Sequence, residues 1–336
     1  MTPRLIVENG GLAATVQDLG RKGFRQFGVP VGGALDPRLL AAANELAGAP
    51  EDAAGLEILL AAPGFRMEGG PARIGLAGQV EGVLTRADGA QVRVASWRGL
   101  ILHDGDHLAL RLMRGPAYLG FSGGLDLPPV LGSRSTFLRG QFGGFCGRAL
   151  EKGDGLACGP AEGVALAAAP LDEKSGPIRF IVGPQTENFP PEALAAFSTT
   201  DWRVGADSDR MGMRLAGPPL RHLPAGANII TDGATPGAIQ VPGDGQPIVL
   251  RADCQTSGGY AKIGCVIAAD LGRLAHFMPG DVMQFAAVDL GQAAQARKEA
   301  RENFALWRAS VTAQSEELDS GKLWSENLIS GATLGD

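Results

Sequence analysis

Apolar runs in this chain are short, and Gly, Pro or Asp closes nearly every one. Runs of that length, bounded by turn formers, read as strands rather than helices. They fall at 5–8, 56–60, 73–76, 91–94, 107–112, 117–121, 178–182, 229–231, 248–251, 262–268 and 282–287. Glycine numbers 50 in 336 residues, about double the usual share of roughly 7%. No triplet period accompanies it, so turn-rich β structure is expected and a collagen is not. A weak internal echo supports a barrel-like plan. Gly105-Asp106, Gly153-Asp154 and Gly280-Asp281 each stand before an apolar run. Gly supplies positive φ there and Asp bonds nearby backbone amides, so these three aspartates are read as structural.

Three helices interrupt the strands. Asp36 and Pro37 open the first as cap and first-turn residue, and Gly48 stops it. Leu39, Leu40, Ala43 and Leu46 form its apolar stripe. A short second helix follows Pro190-Pro191. The third, about 290–311, places Phe304 and Trp307 on one side and is expected to pack on a barrel or a partner. The stretch 165–177 is small, charged and Pro-bounded, which marks a linker. The expected division is therefore 1–170, 171–290 and a helix with tail at 291–336. Trp324, Leu328 and Ile329 are candidates to dock the tail.

Composition excludes several functions. The net charge is −6 and no basic block exists, so neither nucleic acid nor a membrane surface is expected. No apolar stretch reaches the ~18 residues of a span. The N-terminus lacks a basic region followed by an apolar run, so no signal peptide is expected. Cys146, Cys158, Cys254 and Cys265 show no CxxC spacing; reduced thiols in a cytoplasmic protein are expected. His103 and His107 flank a turn, so no helical metal pair follows, and no metal is expected. Patterns for a P-loop, a dinucleotide fold and a nucleophile elbow are missing.

The chemistry concentrates in residues 237–260. Gln240, Gln246, Asp253, Gln255, Thr256 and Tyr260 supply donors and acceptors, while Gly258 and Gly259 allow backbone to approach a ligand. This suits a small amide or carboxylate. Lys262 follows; there a lysine reaches a pocket as a cation or base, or stays at the edge as a snorkelling charge. Two further clusters are candidates. Arg134 and Ser135 lie in a hydroxyl-rich turn with Ser133 and Thr136, which suits an anion or a capped turn with an outward Arg. Asp209 and Arg210 suit a polar clamp on a substrate or a surface turn with local ion pairs. Asp18 and Arg21 pair to shape a loop, or Arg21 holds a carboxylate.

Taken in order, TVQDLGRKG, GVPVGGALD, GLDLPPVLGSRST, GRALEKGD, SDRMGMRL, GAIQVPGDGQPIVL and QTSGGYAKI resemble the KipA-like family, also called the allophanate hydrolase subunit 2 or biotin-dependent carboxyltransferase family. The resemblance implies a mainly β fold with two cyclophilin-like β-barrel subdomains. It implies one member of an ATP-dependent complex that opens 5-oxoproline to glutamate, working with KipI-like and LamB/YcsF-like partner subunits. ATP would bind here or on a partner. Lys262, Tyr260 and Asp253 would be catalytic. Gln255, Thr256, Gly258, Gly259, Arg134, Ser135, Asp209, Arg210, Gln240 and Gln246 would bind substrate. A carboxyltransferase acting on urea or a related amide is the alternative. Carboxybiotin would then arrive in trans, because the chain has no AMKM attachment motif. A KipI-binding regulator without catalysis is a third reading. The family's usual DRQTTGGYPK differs here at Cys254, where Arg is usual, and at Ala261, where Pro is usual.

Overall fold

The computed structural model describes residues 2–172 and 174–314. It is mostly β, with nearly closed, barrel-like sheets. An 11-stranded sheet draws on the strands from Arg4–Asn9 through Leu166–Ala167 together with Thr312–Ala313, and an 8-stranded sheet on strands from Ile178–Val182 through Phe285–Ala287. A two-stranded sheet pairs Asn228–Gly233 with Ser257–Tyr260. Two strands correct the reading of loops. Leu166–Ala167, within the expected linker, pairs with Arg98–Leu102 on one side and Thr312–Ala313 on the other. The runs at 107–112 and 117–121 form a single strand, His107–Phe121, continued through Arg114 and Gly115 by a bulged pairing with Ala72–Thr85.

Each large sheet closes over its own core. Phe65, Leu56, Ile74, Leu119 and Phe121 fill the first. Phe180, Phe197, Trp202 and Phe285 fill the second, with edge-on ring contacts from Phe180 to Phe197 and Phe285. Helix α1 (Pro37–Ala47) starts at Asp36, whose carboxylate accepts from Arg38 N, and ends at Gly48 in the left-handed region. It lies tight on the first sheet because Gly75 and Gly120 are register partners beneath it. A Cβ at either would stand 2.0 or 2.3 Å from the Ala43 carbonyl. Helix α2 (Pro191–Thr199) buries Phe197. Helix α3 (Leu290–Ala309) opens with a capping box between Asp289 and Gln292. It packs on the first unit: Trp307 meets Trp97 edge-on at 6.0 Å and donates to Ala169 O at 2.8 Å.

The three Gly-Asp turns are copies of one another. Asp106, Asp154 and Asp281 accept from the backbone N–H three residues back, of His103, Glu151 and Met278, each at 2.8 Å. Each carboxylate also takes a guanidinium, from Arg86, Arg148 and Arg114 respectively. Among the described residues no helix is long and apolar enough to cross a membrane. Trp324, Leu328 and Ile329 lie outside the described residues.

Candidate active site

Two polar clusters collect part of the residues singled out in the sequence. The first sits where the two-stranded sheet meets strand Lys262–Val266. Lys262 faces Gln240 across a bulged pairing and is buried. Its Nζ donates to Asp232 Oδ2 at 3.1 Å, and its backbone N–H to Gln185 Oε1 at 3.2 Å. Gln185 Nε2 closes the triangle onto Asp232 Oδ2 at 3.2 Å. The Lys262 hydrogen bond holds the Asp232 carboxyl below its ordinary pKa. Asp232 is the hydrogen-bond partner of Nζ among the described residues, and an ammonium carries three donors. Capacity is thus left for a ligand oxygen.

Beside Lys262, Gln255 Nε2 donates to Gln240 Oε1 at 3.5 Å. Gln240 is 2% exposed, and its Nε2 has no protein partner among the described residues. A buried donor without a partner is uncommon and calls for water or a ligand. Gly258 makes this arrangement possible, since a Cβ there would stand 2.5 Å from Gln240 Nε2. Gly259 lies next to Ile229 O, Tyr260 is half-exposed opposite Asn228, and Thr256 O accepts from Ala234 N and Arg25 Nη2. The site therefore offers an ammonium, an unpaired amide donor and an amide pair, with Asp232 and Tyr260 toward solvent.

The second cluster is a buried ion-pair network. Arg210 is buried and joins the two units: it contacts Glu57 Oε1, donates to Gly33 O at 2.7 Å, and binds both oxygens of Asp253 at 2.8 and 3.1 Å. Glu57 Oε2 accepts from Tyr118 Oη at 2.6 Å and Leu35 N at 2.7 Å. Burial first, then the Glu57 charge, raises the Tyr118 pKa well above its ordinary value. Asp253, expected among the catalytic residues, is therefore placed with Arg210 rather than with Lys262. Both of its oxygens are occupied by the guanidinium.

The remaining candidates are also dispersed. Ser133 and Ser135 hydroxyls and Arg134 N all bond the Asp18 carboxylate, so the anion this turn holds is the protein's own. Arg134 Nε donates to Leu127 O. Arg21 contacts Ser135 O and lies 4.8 Å over the Phe142 ring rather than pairing with a carboxylate. Asp209 caps its own turn through Met211 N and Gly212 N. Gln246 forms a two-point amide pair with the Gly217 backbone, 3.0 Å each way. Cys254 is fully buried, which pushes its thiol pKa up to about 11.

Sequence reasoning missed Asp232, Gln185 and Glu57. Asp232 reads as a turn residue in TDG, and nothing around Gln185 marks it. Glu57 did carry a signal: a lone acid in the apolar strand GLEILLA has to be paired when buried.

Residues 27–287 match the family model for the carboxyltransferase domain, subdomains A and B. The chain is 37% identical over 308 residues to the C subunit of the Escherichia coli 5-oxoprolinase, covering 89% of this chain and 96% of that one. It is 31% identical over 350 residues to the urea amidolyase of Lachancea kluyveri, covering 94% of this chain but 18% of that one. The solved urea carboxylase of Kluyveromyces lactis superposes with a TM-score of 0.82 at 29% identity, over 94% of this chain and 30% of that longer one.

Proposed function

The chain belongs to the carboxyltransferase-domain family, subdomains A and B, and on that premise we propose that it is the C subunit of an ATP-dependent 5-oxoprolinase. The observation that carries this reading is the match along nearly the whole length of a protein named as the C subunit of a 5-oxoprolinase. The urea amidolyase match spans only a fraction of its relative, so carboxyl transfer to urea with biotin in trans ranks second.

An unstrained lactam carbonyl is a poor electrophile, and ATP supplies the phosphoryl group that activates its oxygen. The residues around Lys262 suit the other half of the task. Gln255 and Gln240 match the donor and acceptor of a lactam amide. Lys262 stabilises negative charge that develops on the substrate oxygen in the transition state, and Asp232 holds the ammonium in place. Tyr260 stands at the mouth with its hydroxyl available to the substrate carboxylate. The site does not fit a triphosphate: it pairs one cation with one carboxylate and has no glycine-rich phosphate loop. ATP therefore binds elsewhere in the complex. The partners are one KipI-like and one LamB/YcsF-like protein, and the chain alone is inactive.

Reconstitution tests this. Glutamate and phosphate release from 5-oxoproline should require all three chains. Lys262→Ala should lower the rate by roughly 10² or more, the scale of a lost charge-stabilising group. A stable complex that turns over urea with carboxybiotin, and not 5-oxoproline, would move the reading to carboxyl transfer.

A further inference from the structure

A concavity of about 560 Å³ touches none of the residues around Lys262. It lies between the two large sheets and is of a size that holds a small organic ligand. Its charge is at odds with the rest of the chain. The molecule carries −6 overall, yet Arg38, Arg114, Lys174 and Arg273 line this cleft against Asp201 and Asp281. The carboxylates that anchor the two inner guanidinia stand behind them: Asp36 holds Arg38 and Asp270 holds Arg273, and both acids are fully buried. The cleft therefore has Arg114 and Lys174 exposed at its wall, while Arg38 and Arg273 are backed by acids that solvent does not reach.

Backbone irregularity aims one of these side chains. The pairing of strands Ala72–Thr85 and His107–Phe121 is bulged on both sides of Gln79, which faces Arg114. Both residues line the cleft. Bulges re-aim side chains and are over-represented beside functional sites. Arg114 and Lys174 are also the movable members. They are 53% and 36% exposed, and each is held by a single carboxylate, Asp281 at 2.5 Å and Glu299 at 3.4 Å. Exposed pairs of this kind contribute little, so an incoming polyanion can exchange for them. Arg38 and Arg273, locked by buried acids, would supply a fixed positive field.

We propose that this cleft binds a ligand carrying two or more phosphate groups. A single carboxylate is too small for the volume and too weakly charged for four cations, whereas guanidinium and ammonium groups at several points suit a phosphate chain. The inference rests on the cleft alone and is independent of the lactam reading.

Isothermal titration of the full chain with ATP, tripolyphosphate and inorganic phosphate tests it. ATP or tripolyphosphate should bind, more tightly than inorganic phosphate and more weakly as salt rises. Arg114→Ala/Lys174→Ala should weaken that binding at least tenfold. Lys174→Ala alone, at an exposed position, should weaken it in the same direction, while Lys262→Ala leaves it unchanged. Equal affinity for ATP and tripolyphosphate would show recognition of the phosphate chain alone, and tighter ATP binding would add the nucleoside; both uphold the proposal. No binding of either polyanion, affinity unaltered in both cleft variants, or loss confined to Lys262→Ala would overturn it.

Discussion

Gly258 shows how one missing methyl group shapes the site. A Cβ there would press on the buried Gln240 amide at 2.5 Å, whereas one at Gly259 would meet nothing closer than 3.6 Å. Neither glycine has the positive φ that would make a side chain strained in itself. Gly258→Ala should therefore shift the Gln240 amide and lower kcat/KM of the reconstituted enzyme by roughly tenfold, about 1.4 kcal/mol of transition-state stabilisation. Gly259→Ala should stay close to wild type. Equal losses in both would remove the Gln240 amide from the site. At this scale the sequence is informative about residue types and poor on partners. Gln240, Gln255, Gly258, Tyr260 and Lys262 stand close in the chain and stay close in space. Asp253 is nearer to Gln255 in sequence than Lys262 is, yet it turns toward Arg210 from the other side of its loop. Asp232 comes from a different strand, and no local pattern could have announced it.

Elements were more legible, because their signals are local. The cap and stop of α1 at Asp36 and Gly48, the start of α2 after Pro190, and strand Ile178–Val182 all follow from residues within one turn of the boundary. Strands such as Leu12–Gln17 and Gly64–Glu68 carry weaker alternation and take their form from pairing with distant neighbours. Asp36 also links element to environment. Burial alone would raise its pKa; the hydrogen bond from His276 and the charge of Arg38 override burial and hold it below the ordinary value. A depressed carboxyl contributes stability that is present above its unfolded pKa of about 3.9 and is lost as pH falls toward its folded value. Denaturant titrations at pH 7, 5 and 3 should thus show Asp36→Asn less stable than wild type at pH 7. The gap between the two should narrow on acidification below about pH 4. A gap that stays constant to pH 3 would remove Asp36 from the acid response.

At the scale of the molecule, the two units are joined by charge as well as by apolar contact. Arg210 satisfies Glu57 from the first sheet and Asp253 from a turn of the second unit, and neither acid is open to water. Removing one member of such a set strands the others, so Arg210→Ala should cost about 3–5 kcal/mol in equilibrium unfolding. A cost below about 1 kcal/mol would mean that water enters and re-solvates both acids. The Gly-Asp turns close between residues three apart, but Arg210 reaches Glu57 across 153 positions and Gly33 across 177. Contacts that span so much chain carry a high closure entropy and tend to form late. The Arg210 bridge would then be absent from the rate-limiting transition state. Its loss should appear almost wholly as faster unfolding, with refolding of each half little changed. On that view this arginine sets how long the assembled molecule lasts rather than how quickly it is made.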